Sequence, residues 1–199
     1  MFAVIFEVQP KRARWDEYLA YAKKLRPELE RIEGFIDNER FASTRTEGRL
    51  LSLSTWRDEK AVVRWRTVAL HHEVQQKGRF EVFEDYHLRV GEIVADSAVP
   101  TGERLVEQRF DATAVGTAQQ MTISEGPAAA LIDPATPGLI DQELFRSLTD
   151  PAKHLLLAGW RDAAPALDPA LRQRRVRVIR DYGMADRREA PQYYPPVGG

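Results

Sequence analysis

His71, His72, Gln75, the pair Gly78-Arg79 and the rings of Trp65 and Tyr86 are the side chains whose types and spacing could do chemistry together in this sequence. An imidazole titrates near neutral pH, so His71 could accept a proton or orient a substrate oxygen, or else satisfy a backbone carbonyl. Gln75 lies one helical turn on, within reach of the same ligand. His72 faces roughly 100° away from its neighbour, so only one of the two histidines should enter a given cavity. Trp65 could stack on an aromatic molecule, donate its indole N–H to a developing oxyanion, or serve as core. Tyr86 offers a hydroxyl donor or strand packing, and Arg79 offers a cation for an anionic group or a partner for Glu81 or Glu84.

Other chemistries find no support. Adjacent helical residues diverge, so His71, His72 and Glu73 cannot chelate one ion together, and no His-Glu-x-x-His pattern is present. The sequence contains no cysteine, which removes disulfides, thiolate catalysis and Cys-based metal sites. Neither a Gly-x-Gly-x-x-Gly nor a Walker loop occurs, so nucleotide phosphates have no cradle. A formal net charge of -1 gives no long-range field to gather nucleic acid or an anionic membrane. The one basic run, Arg172 to Arg180, alternates Arg175 and Arg177 with Val176 and Val178, which reads as a half-buried strand with a solvated arginine face. The opening run Phe2 to Val8 is too short, and too interrupted by Glu7, for a signal sequence or a membrane span, which predicts a cytoplasmic protein.

The elements that must position these residues come in two copies. Gly34-Phe35-Ile36-Asp37-Asn38-Glu39-Arg40-Phe41-Ala42-Ser43 returns as Gly138-Leu139-Ile140-Asp141-Gln142-Glu143-Leu144-Phe145-Arg146-Ser147. Without a gap, the same register carries Leu51, Leu53 and Trp56-Arg57-Asp58 onto Leu155, Leu157 and Trp160-Arg161-Asp162. Roughly eleven of about 25 positions are identical, far above chance. Carried backwards, the register places Phe6 on Phe110.

In the first copy a strand is expected over Phe2 to Gln9 and an amphipathic helix over Lys11 to Ile32, kinked or restarted at Pro27. A hairpin of Phe35 to Thr44 and Arg49 to Trp56 follows, then a helix capped by Asp58 and running to about Lys77, then a strand over Tyr86 to Val94. The order is that of a ferredoxin-like βαββαβ unit, an α+β sheet whose second face needs a partner. In the second copy, strands are expected near Arg104 to Asp111, Leu139 to Leu148, Leu155 to Arg161 and Val176 to Tyr182. Its helices are eroded, because Gly126-Pro127, Pro134, Pro137-Gly138, Pro165 and Pro169 break them. The expected organisation is a module over residues 1–95, a linker over 96–102, a degenerate module over 103–184, and an extended tail over 185–199 that holds Tyr193, Tyr194, Pro195 and Pro196. Two tandem units would pack sheet to sheet, with one working pocket in the first and the second completing the structure.

Trp65-Arg66, His71, Gln75, Gly78-Arg79 and Tyr86-His87-Leu88-Arg89-Val90 together resemble the antibiotic biosynthesis monooxygenase superfamily. The likeness covers the first half, and the second half only through its hairpin and Trp-Arg-Asp. It implies an intrachain dimeric α+β barrel and a cofactor-independent monooxygenase that oxygenates an aromatic or polyketide-like phenol or hydroquinone with dioxygen. His71 would be the proton acceptor beside Trp65, and His72, Gln75, Tyr86 and Arg79 would bind substrate. No metal and no cofactor are implied. Haem-degrading relatives carry a histidine where this chain has Gln75, and an asparagine near Glu7, which argues against haem degradation and leaves haem binding through His71 open. The alternative is a non-catalytic module of the same fold that carries a hydrophobic ligand or haem, with or without homodimer formation.

Overall fold

A computed structural model of the chain describes residues 1–166 and 171–191. The first half holds strand β1 (Phe2–Pro10), helix α1 (Trp15–Glu30), strands β2 (Phe35–Ser43) and β3 (Leu50–Trp56), helices α2 (Glu59–Thr67) and α3 (Ala69–Lys77), and strand β4 (Phe83–Asp96). The second half holds β5 (Gln120–Gly126), β6 (Leu139–Ser147), β7 (His154–Trp160) and β8 (Arg172–Gly183), with no helix among its described residues. All pairings are antiparallel, in the closed order β1-β3-β2-β6-β7-β5-β8-β4. The two four-stranded sheets therefore meet edge to edge as an α+β barrel, joined along β2–β6 by Phe41 to Ser43 and along β4–β8 by His87 to Asp96.

Strand alternation sorts every side chain to one of two layers. Ala3 and Ile5 of β1 point into the barrel, where they meet Phe41, Leu51, Leu53, Ile93, Met121, Ile123, Phe145, Leu157 and Val176, all buried. Phe2, Val4, Phe6 and Val8 point outward, toward the helices. The middle of the barrel is thus a packed core, and the outward face of the first sheet is left to meet α1, α2 and α3.

The repeated hairpin keeps its register down to a shared irregularity. Phe35 and Asp37 pair with Trp56 and Thr55 around a bulge at Ile36, and Leu139 and Asp141 pair with Trp160 and Gly159 around a bulge at Ile140. Both tryptophans are buried, and each indole N–H donates to a hydroxyl, Ser54 for Trp56 at 2.9 Å and Thr122 for Trp160 at 3.0 Å. The opening strand does not keep that register. Ile5 faces Leu53 and Ile123 faces Leu157, so the counterpart of Ile5 is Ile123, where the ungapped register puts Arg109. The expected strand near Arg104 to Asp111 is instead an unpaired segment with Phe110 83% exposed. Its backbone is held from one side, with the N–H groups of Gln108 and Arg109 donating to buried Glu92.

Helix α1 runs through Pro27 without a restart, because the ring sits on the exposed face while Tyr18, Ala22 and Leu29 are buried. Asp58 caps α2 as expected, its carboxylate accepting from the Ala61 N–H at 2.8 Å. Asp58→Ala should cost about 1 kcal/mol in urea unfolding, and an unchanged midpoint would refute the cap's contribution. The helix expected to continue to Lys77 is split, since Val68 is extended (φ -61°, ψ 125°) between α2 and α3. No helix of the described residues is long and apolar enough to cross a membrane.

Candidate functional site

A cavity of about 560 Å³ lies between the outer face of the first sheet and the three helices. Val4, Phe6, Leu88 and Val90 form its floor, and Tyr18, Leu25, Leu29, Val62 and Val74 form its roof. All six residues picked out by type and spacing line it: Trp65, His71, His72, Gln75, Arg79 and Tyr86. Both histidines reach the same space, against the expectation that one would be excluded. A cavity of this width subtends more than the roughly 100° between consecutive helical residues.

The break at Val68 shapes the histidine wall. It turns the start of α3 back on α2, so the His71 ring stacks on Trp65 with centroids 4.0 Å apart and planes at 15°. His71 Nδ1 lies 2.9 Å from the Trp65 carbonyl oxygen. A carbonyl only accepts, so Nδ1 carries the proton and the Nε2 lone pair is left as an acceptor. Burial pushes the imidazole down to about 4, the Trp65 carbonyl opposes that, and nearby His72 adds to it. His71 is therefore neutral at physiological pH. It satisfies a backbone carbonyl with one nitrogen and keeps the other for a ligand.

The second wall is aromatic. Tyr86 is 9% exposed and packs against Phe6 (5.8 Å) and Phe83 (6.1 Å). Phe83 is seated by the preceding π-helical turn Gly78–Val82, because a Cβ on Gly78 would lie 2.5 Å from the Phe83 ring. Tyr86 is also a polar contact, since its hydroxyl accepts a hydrogen bond from Arg187. Arg79 makes no ion pair with Glu81 or Glu84; its guanidinium sits 5.0 Å over the Phe80 ring, at the cavity edge.

Charge is unevenly distributed around this space. Six arginines line it, Arg26, Arg40, Arg66, Arg79, Arg180 and Arg187, against one carboxylate, Glu59. Glu59 is already held by Arg109 at 2.6 Å. Arg180, Tyr182, Arg187 and Pro191 come from the second half, so the pocket is shared between the halves and is not confined to the first. These residues went unread in the sequence. Alternation does put Arg180 and Tyr182 on one face of β8, but only the β4–β8 seam, pairing Arg180 with Val90 and Tyr182 with Leu88, reveals that this face looks into the pocket. The tail is fastened over that end by Glu189, which accepts from Thr113 Oγ1, Ala114 N–H and Asp181 N–H, each at 2.7 Å. Tyr193, Tyr194, Pro195 and Pro196 lie outside the described residues, as does Pro169.

Among the described residues no group of three or more His, Asp or Glu is placed to hold a metal ion. The free Nε2 of His71 is the nitrogen a haem iron would need, and the pocket's arginines would meet haem propionates, so the residues present are compatible with that ligand.

Residues 1–77 match the family described as antibiotic biosynthesis monooxygenase. A protein of Pyricularia oryzae (strain 70-15), named jasmonate monooxygenase ABM, is 45% identical over 214 residues, spanning 99% of this chain and 100% of that one. Among solved structures, one from Lactobacillus acidophilus NCFM is similar over 90% of this chain and 94% of its own, at 8% identity and a TM-score of 0.43. A conserved protein from Methanosarcina mazei Go1 is similar over 45% of this chain and 88% of its own, at 20% identity and a TM-score of 0.42.

Proposed function

The chain belongs to the antibiotic biosynthesis monooxygenase family, and on that premise we propose that it oxygenates a small hydrophobic molecule bearing an acidic oxygen, bound between the first sheet and its helices. The observation that carries this reading is the make-up of the cavity: apolar and aromatic walls, six arginines and one carboxylate already engaged. Jasmonate, the compound in the name of the Pyricularia oryzae relative, is an amphipathic carboxylate and the first substrate to test. A phenol or hydroquinone is the second reading, favoured by the aromatic wall of Phe6, Phe83 and Tyr86 and by the stacked Trp65.

Cofactor-free oxygenation needs a substrate anion rich enough in electrons to reduce dioxygen directly. For an activated CH2 group the balance is CH2 plus O2 giving C=O plus H2O, with no outside reductant. His71 contributes as a neutral ring whose Nε2 accepts from the acidic O–H or C–H. The low proton affinity of the resting ring rises when an anion forms beside it, because opposite charge offsets desolvation. Trp65 fixes the ring by stacking and by its carbonyl, and the arginines hold the negative charge in a space walled largely by apolar side chains.

The test is dioxygen consumption with jasmonate and a panel of phenols and hydroquinones, run beside a haem titration. Uptake with one compound is expected, and His71→Ala should lower kcat by about a hundredfold or more, as loss of a positioned proton acceptor would. No uptake with any compound, together with stoichiometric haem binding, would replace this reading with a non-catalytic carrier of the same fold.

A further inference from the structure

We infer that the β8 side of the cavity is a carboxylate-binding subsite built by Arg180, Arg187 and Arg66 with the hydroxyls of Tyr182 and Tyr86, so that the ligand is an amphipathic monocarboxylate entering with a fixed polarity. This rests on the reading of the cavity as the substrate site and adds to it which end takes which part of the molecule.

The cluster is assembled by three separate elements. Arg180 and Tyr182 stand on the outward face of β8, opposite Val90 and Leu88 of the cavity floor. Arg187 reaches back from the tail to donate to Tyr86 Oη, with its guanidinium 5.8 Å over the Tyr182 ring. Arg66 approaches from α2. The charges of Arg66, Arg187 and Arg180 are all felt at the Tyr182 hydroxyl, although burial dominates there.

The cluster holds no acid. The buried Arg174 and Arg89 and the half-buried Arg177 are, by contrast, matched to Glu125, Glu7 and Glu92. Among the described residues none of Arg66, Arg180 and Arg187 has a carboxylate partner. Three guanidiniums crowded at the end of an apolar cavity repel one another, and an incoming carboxylate relieves that while accepting paired N–H donors. Tyr182, held neutral because burial lifts its hydroxyl to about 12, remains a donor to the same anion. The opposite, β2 side holds Arg40 near the Tyr18 hydroxyl, four strand spacings away, or about 19 Å. A ligand anchored at β8 therefore extends its apolar body under the helices toward β2.

The test is calorimetric titration of the full chain with decanoate and with decanamide, its neutral match in length. Wild-type protein should bind decanoate about 30-fold more tightly, in the range of one charge-assisted hydrogen-bonding group, and added NaCl should weaken decanoate alone. Arg180→Gln/Arg187→Gln should bring the two ligands within about threefold by weakening decanoate, with decanamide binding retained as the measure of an intact cavity. Arg40→Gln should keep the preference. Equal binding of both ligands to wild type, or a preference abolished by Arg40→Gln and not by the double variant, overturns the subsite while leaving the cavity reading standing. Binding of neither ligand overturns both. If the double variant fails to bind decanamide, Arg187→Gln alone decides, since it removes a tail contact and leaves β8 unchanged.

Discussion

Acidifying the protein from pH 7 to pH 4 is expected to remove on the order of 3 kcal/mol of folding stability through His71 alone. The imidazole is pushed down to about 4 in the folded chain, from an ordinary 6.5, chiefly by burial against Trp65. Between those two values the unfolded chain binds a proton that the folded chain refuses. Acid therefore favours unfolding, and stability falls as pH drops through 6.5 until the folded ring protonates near 4. Asp181, Asp58 and Glu125 are also held below the usual carboxylate range, by His87 and Arg89, by the Ala61 N–H and Arg57, and by Arg174 and Lys153 respectively, each against the cost of burial. Their stabilisation is complete above about pH 5 and is lost below it, as pH falls through their ordinary values toward the lowered folded ones. The two windows are thus separable above about pH 5. Urea unfolding at pH 7, 6, 5 and 4.5 should show a steep decline in the wild type and a much shallower one in His71→Gln, which keeps a hydrogen-bonding group at the Trp65 carbonyl. Parallel declines in the two proteins would show that His71 is not held neutral by burial, and the acceptor role assigned to its Nε2 would lose its basis.

The same residue shows what could be read from the sequence and what could not. Helical spacing and family resemblance together singled out Trp65, His71, His72, Gln75, Arg79 and Tyr86, and all six meet at one cavity. The stacking of His71 on Trp65 was out of reach, because it depends on an extended residue at Val68, where neither glycine nor proline announces a break. The hairpin repeat was legible down to its strand ends, since cross-strand packing constrains Trp56 and Trp160 alike. The strand β5 was not. Its outward residues Thr122 and Ser124 are buried and polar, so Met121 and Ile123 stood out less than the apolar run that includes Leu105, Val106 and Phe110. The absence of helix among the described residues of the second half was written in its prolines. The contribution of that half to the pocket was not, because alternation from Val176 and Val178 would point Arg180 and Tyr182 into the barrel, and only the bulge at Ile179 turns them outward.

Arg89→Met should cost about 3–5 kcal/mol in folding free energy, the loss incurred when one member of a buried ion cluster is removed and the rest remain charged. Arg89 points into the barrel with 5% of its surface exposed, donating to Glu7 at 2.9 Å and to Asp141 and Asp181 at 3.3 Å. Glu7 lies on β1, Asp141 on β6 and Asp181 on β8, so one guanidinium ties both halves together at one end of the barrel. Its loss leaves Glu7 to Arg49 and Asp181 to His87, partners that soften the penalty without cancelling it. Urea unfolding at pH 7 measures the effect, and a loss below about 1 kcal/mol would mean that the cluster is more hydrated than its burial implies. Adding Glu7→Leu to Arg89→Met should recover part of the loss, since the deficit comes from stranded carboxylates and not from missing attraction. A first half alone would carry the Glu7–Arg89 pair without the acids of β6 and β8, on a sheet whose inner apolar face is bare. The barrel seam, the buried cluster and the arginine-rich end of the cavity all draw residues from the second half, so its sheet is needed for the pocket as well as for the fold.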